Sequence, residues 1–143
     1  MKKVIIIFLI IALLILCIII YNKITFKRLT KVTINDSIFS NSQKEICEYF
    51  LKFIINHEYG NAYYLFDDEI KSDENFDIKV FITYCIMLEK KFGKPINFIF
   101  SKKEIKENNK IKYYYIVKYA NENVTYKITF NKDGKKIIGY YYN

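Results

Sequence analysis

The chain has 143 residues, 52% of them apolar, and 23 basic against 15 acidic residues give it a net charge of +8. That length holds one modest domain once a membrane stretch is set aside. Arg28 is the single arginine, so the bidentate contacts that read bases and phosphates are missing and no nucleic-acid partner is expected.

The charge is uneven. Residues 1–40 carry six bases (Lys2, Lys3, Lys23, Lys27, Arg28, Lys31) against Asp36, a net of +5, which leaves +3 for residues 41–143. The basic character is therefore concentrated around the first apolar run. That run, Val4 to Tyr21, holds no charged residue. At about 1.5 Å per residue it forms a helix of about 27 Å, close to the hydrocarbon thickness of a bilayer. A cleaved signal peptide has a shorter apolar region that ends in small residues. Here Ala12 is the only small residue in the run, and no Ala-x-Ala follows. Leu14-Ile15-Leu16 precede Cys17 where a lipoprotein needs small residues, and Ile18 to Ile20 stay apolar after it. Residues 1–21 thus read as an uncleaved signal-anchor that holds the chain in the membrane through residues 4–21, with Cys17 a small apolar side chain in lipid.

A two-lysine start followed at once by the apolar run is the layout of an exported anchor. It places the C-terminal part outside the cytoplasm, in a single-pass protein of the cell membrane. The bases after Tyr21 favour the opposite orientation by a flanking-charge count. On an exported chain they sit on anionic headgroups instead, at about 1 kcal/mol each. Residues 22–40 read as a polar connector whose Ile24, Phe26, Val32 and Ile34 alternate, a short strand or a stalk.

The domain proper is expected over 41–143. Ser42-x-x-Glu45 is a capping box, and Ile46, Phe50, Phe53 and Ile54 behind it form one helical face. Gly60 reads as the stop. A short turn follows, with Ala62, Leu65 and Phe66 on one side, and then a charged loop, DDEIKSDEN. A second long helix carries Phe81, Cys85, Leu88 and Phe92, and Gly93 and Pro95 end it. From Ile96 the period changes to two. Strands alternate from Ile96, from Ile111 to Tyr119 and from Val124 to Phe130. Asp133-Gly134 reads as a hairpin with positive φ. Ile137 to Tyr142 is the last strand. Helices first and a meander after them make an α+β fold, with helices packed on a curved antiparallel four-stranded sheet.

Three pieces, "FIINHEYGNAYYLFDDEIK", "LEKKFGKPINF" and "YKITFNKDGKKIIGYYY", come in an order that resembles the cone-shaped superfamily of nuclear transport factor 2 and ketosteroid isomerase, also described as cystatin-like. More narrowly, residues 42–143 resemble small anchored bacterial domains of unknown function within it. Tyr59-Gly60-Asn61 stands where the family has Gly-Asp. The resemblance implies a cone of helices on a curved sheet whose outer side is open to dimer contacts, and for some members proton transfer by Asp, His or Tyr inside the cone.

The residues favour a filled cone without catalysis. His57, the only histidine, falls at the end of the first domain helix. Asp67, Asp68 and Glu69 lack the ligand spacing and turn glycine of an EF-hand. Cys47 and Cys85 have no histidine cluster to make a zinc site, and read as buried thiols or as one bridge. No metal or other cofactor is expected. On the strand from Ile111, Tyr113, Tyr115, Val117 and Tyr119 are expected to meet the helices. Tyr114 and Ile116 then face outward and, with Tyr140 and Tyr142 of the last strand, form the candidate ligand or partner surface. Three functions follow from different classes. They are a non-catalytic binding or assembly module, such as the bitopic parts of conjugation and secretion machines; a small-molecule enzyme of the ketosteroid-isomerase type; and a pilin-like subunit. The last lacks its usual early glutamate, and the alternation over Lys23 to Ser40 argues against a continuing helix.

Overall fold

A computed structural model describes residues 2–143, with side chains described from Ile10 onward. The first part of the expected span, residues 4–9, therefore has no described side chains. Helix α1 runs Lys2–Leu29, and its apolar part is long enough to cross a membrane. It does not stop at Tyr21. Residues 22–29 contain neither Gly nor Pro, so the polar residues end the apolar stretch without ending the hydrogen-bond ladder. The alternation read over Ile24 and Phe26 is helical, and the argument against a continuing helix falls with it. After Leu29 the chain extends to a 3₁₀ turn, Asp36–Ser40, capped by the Asn35 side chain.

Helix α2 (Gln43–Ile55) opens on the expected box, with Ser42 capping the Glu45 N–H and the Glu45 carboxylate accepting from the Ser42 N–H at 2.8 Å. Its end differs from expectation. His57, in the left-handed region at φ 58°, turns the chain, and Gly60 lies inside the next helix, α3 (Tyr59–Tyr64). The expected charged loop holds one helical turn, α4 (Asp68–Lys71), capped by Asp67. Asp77 caps α5 (Ile78–Phe92), and Gly93 at φ 84° ends it as read.

The sheet is an antiparallel meander in the order β1 (Pro95–Lys106), β2 (Lys110–Tyr119), β3 (Asn123–Asn131), β4 (Ile137–Tyr142). β1 is broken by irregularities around Ile96 and Ser101. The β3–β4 connection is a turn closed by Gly134 N–H donating to Asn131 O at 3.0 Å. Gly134 sits at its last position and needs no positive φ, unlike the hairpin read from Asp133-Gly134. The molecule is α+β, with α2 and α5 covering one face of an open sheet. The inward row Ile111, Tyr113, Tyr115, Val117 and Tyr119 is buried, as the alternation predicts. Gln43 ties the start of α2 to the β3–β4 turn, its amide donating to Gly134 O at 2.6 Å and Asn131 O at 2.9 Å.

Candidate functional site

The register of the strands defines which side chains share a face. Ile99 pairs with Ile116, and Lys102 with Tyr114. Tyr114 pairs in turn with Lys127, and Lys127 with Tyr141. All of these point away from the helices. Ile116 is 38% exposed, and the Tyr114 hydroxyl donates to Glu104 Oε2 at 2.9 Å. Tyr114 and Ile116 thus lie outward, as read.

Tyr140 and Tyr142 do not join them. Tyr140 meets Phe50 edge-on at 4.8 Å and stacks on Tyr126 at 5.1 Å. Tyr142 packs against Tyr84 and Phe92. A register shift between Thr129 and Phe130 puts Ile137 inward as well, and the exposed tyrosine of β4 is Tyr141. A two-residue period carried through this strand cannot see that shift.

Inward, phenols cluster. The Tyr119 and Tyr126 hydroxyls share a short hydrogen bond, and the Tyr140 hydroxyl is buried with no partner among the described residues. Burial raises the phenols of Tyr59, Tyr84, Tyr119 and Tyr140, and pushes Tyr126 up to about 12. A raised phenol stabilises the fold fully below its unfolded value and loses that contribution as pH rises through the folded one. Between about pH 10 and 12 the protein is therefore expected to lose stability steadily. The share of ultraviolet phenolate absorbance that comes from the buried tyrosines should rise in one cooperative step together with loss of the near-ultraviolet circular dichroism. A smooth non-cooperative titration with the dichroism intact would show that the cluster is open to water.

His57 lies at the rim, where its Nδ1 is 2.9 Å from the Tyr59 hydroxyl and 3.5 Å from Glu89 Oε2. Cys47 and Cys85 are free and buried, one on each long helix, and burial pushes both thiols up. Among the described residues no group of His, Cys, Asp and Glu could hold a metal. Asp68 spends its charge on Lys136 and Lys71, which hold its carboxyl down to about 2.

A Cβ on Gly60 would lie 2.5 Å from Lys31 O and 2.6 Å from the Thr30 carbonyl carbon, so the extended segment after α1 lies directly against α3. Asn61, 2% exposed, fixes it there. Its Oδ1 accepts from the Thr33 N–H at 2.7 Å, and its Nδ2 donates to Thr33 Oγ1 at 2.9 Å and Glu58 Oε2 at 2.8 Å. In the sequence this contact shows only as the pair Gly60-Asn61, and a reading for caps assigns that glycine to the helix end. Comparison with family models, with curated proteins and with solved structures finds no match for this chain.

Proposed function

We propose that the chain is a membrane-anchored module outside the cytoplasm that binds or assembles with partners and carries out no reaction of its own. The observation that carries this reading is the clamp between Thr30–Thr33 and Gly60–Asn61. It makes the head a rigid continuation of the membrane helix instead of a cargo on a tether. From Tyr21 to Leu29 the helix rises about 12 Å, enough to clear a headgroup layer of about 5–8 Å. A head held at fixed height and orientation presents the same faces to every neighbour in the bilayer, which matters for assembly and is of no use to a soluble substrate. The interior supports the same reading, because the inward rows of β2 and β3 are filled by aromatic and aliphatic side chains. The order of elements resembles the cone superfamily, and on that resemblance the open face of the sheet is the working face.

The test uses full-length chain with Cys17→Ser and Glu122→Cys, the latter in an exposed turn. A membrane-impermeant maleimide is expected to label intact cells. Labelling only after permeabilisation would put the head in the cytoplasm. Amine crosslinking of the same cells is expected to give discrete higher-mass species that contain the chain. A chain that stays at monomer mass is not an assembly module.

A further inference from the structure

The two edges of the sheet differ in chemistry. β1 is the longer edge, and among the described residues no strand pairs with its outer side. Ile99 and Ile105 are 66% and 67% exposed, on opposite faces of the strand. Lys102, Lys103 and Lys106 lie along it. Its one acid, Glu104, is already engaged by Lys102 at 2.6 Å, by Lys106 at 3.1 Å and by the Tyr114 hydroxyl. The edge is apolar and basic, a template for another strand.

The β4 edge is apolar and acidic. Phe66 bridges only its first residue, Ile137. From Ile138 on, a groove of about 280 Å³ runs beside the strand, floored by Ile70, Phe76 and Ile138 with Glu69 and Asp73 at its rim. An adjoining hollow of about 340 Å³ shares Glu69, Ile70 and Ile138 and adds Asp67 and one base, Lys110. The nearby bases Lys71 and Lys136 are both tied to Asp68, which leaves Lys110 against Asp67, Glu69 and Asp73, so the rim keeps a net negative charge.

The topology adds a geometric condition. In a four-stranded meander β1 and β4 run in opposite directions. Copies anchored in one membrane share one orientation, so a neighbour reached by translation, or by a small rotation about the membrane normal, brings its β1 beside β4 antiparallel. The side-chain rows then continue. The outward row reads Lys102, Tyr114, Lys127, Tyr141, with Lys102 at 4.7 Å from the Tyr114 ring and Lys127 at 5.0 Å from the Tyr141 ring. A second copy's Lys102 beside Tyr141 extends this alternation. The same register sets that copy's Ile105 beside Ile138, at the apolar floor of the groove.

We propose that a second copy of this chain docks its β1 edge antiparallel into the β4 groove, head to tail, so that one sheet runs on into the next along the membrane. This rests on the assembly reading above and names its partner. Such an interface is heterologous, and repetition closes a ring or leaves an open row. The alternative, β1 against β1 about a two-fold axis, brings two basic edges together with no free acid between them.

The experiment uses full-length Cys17→Ser chain in its own membranes, in two differently tagged forms, one with Lys102→Cys and the other with Tyr141→Cys. After mild oxidation a disulfide-linked dimer is expected when the two forms are mixed, about tenfold above either form alone. A chain carrying both substitutions is expected to give a ladder of higher species, and adding Asp73→Lys at the exposed rim should suppress the ladder. Dimers of the Lys102→Cys form with itself would overturn the head-to-tail pairing in favour of a two-fold one. Amine crosslinks to other proteins, without self-crosslinks at these positions, would overturn self-pairing and leave the assembly reading standing. No crosslinks of either kind would overturn both.

Discussion

A soluble fragment that begins at Asn41 is expected to be less stable than one that begins at Thr30, by about 3–5 kcal/mol. The capping box at Ser42 makes 41 the natural place to cut, yet the residues before it are part of the fold. Ile38 is buried in the core, and Ile34 and Phe39 pack against it half-buried. Burial of Ile38 alone contributes about 2 kcal/mol. Removing Thr33 takes both acceptors and donors from Asn61, whose amide then keeps only Glu58 inside a nearly closed site. An orphaned buried amide costs about 1–3 kcal/mol. Urea unfolding of the two fragments, followed by circular dichroism, reads the difference directly. Thermal midpoints should separate by about 12–20 °C for a domain of this size. A gap below about 1 kcal/mol would mean that the segment lies loosely on α3 and that the head is tethered rather than clamped.

The same segment shows which parts of the molecule its sequence exposes. β2 is legible because its alternation is unbroken, and one face meets helices while the other meets water. β4 is not, because a register shift at Thr129–Phe130 changes the face of everything after it, which moved Tyr140 and Tyr142 from the outer surface to the interior. The end of the apolar stretch at Tyr21 is legible and the end of the helix is not, since hydropathy falls at Asn22 while helix propensity does not. Gly60 is read as a cap from its type, whereas its role is the space that a missing Cβ leaves for Lys31. Tyr114 and Ile116 follow from one strand. The β4 groove joins Ile70, Phe76 and Ile138, which no local pattern brings together.

Phe50→Ala is expected to be the most damaging single core substitution tested, costing about 3–5 kcal/mol. Phe50 is fully buried at the middle of α2. It meets Phe66 edge-on at 5.6 Å, Tyr140 edge-on at 4.8 Å and Phe81 at 6.2 Å. It therefore joins α2 to the α3–α4 segment, to α5 and to the last strand at once. Truncation removes the transfer energy of the ring and leaves a cavity bounded by three other rings that cannot close in without breaking their own contacts. A domain of this length has about 5–15 kcal/mol in total, so the variant should be largely unfolded at moderate urea. Tyr49→Ala on the same helix is the control. That ring is partly exposed, stacks on Phe53 and has the Lys52 ammonium 5.6 Å from its centre, so a loss of about 1 kcal/mol or less is expected. Both variants, made in the fragment that begins at Thr30, are compared by urea midpoint at constant slope. Equal losses from the two would mean that α2 does not dock on the sheet through Phe50. Tyr140 gives the result a further consequence, because it also lines the groove beside β4. In the full-length chain Phe50→Leu, which keeps the helix docked but removes the edge-on contact, should loosen that groove and weaken assembly before it unfolds the head.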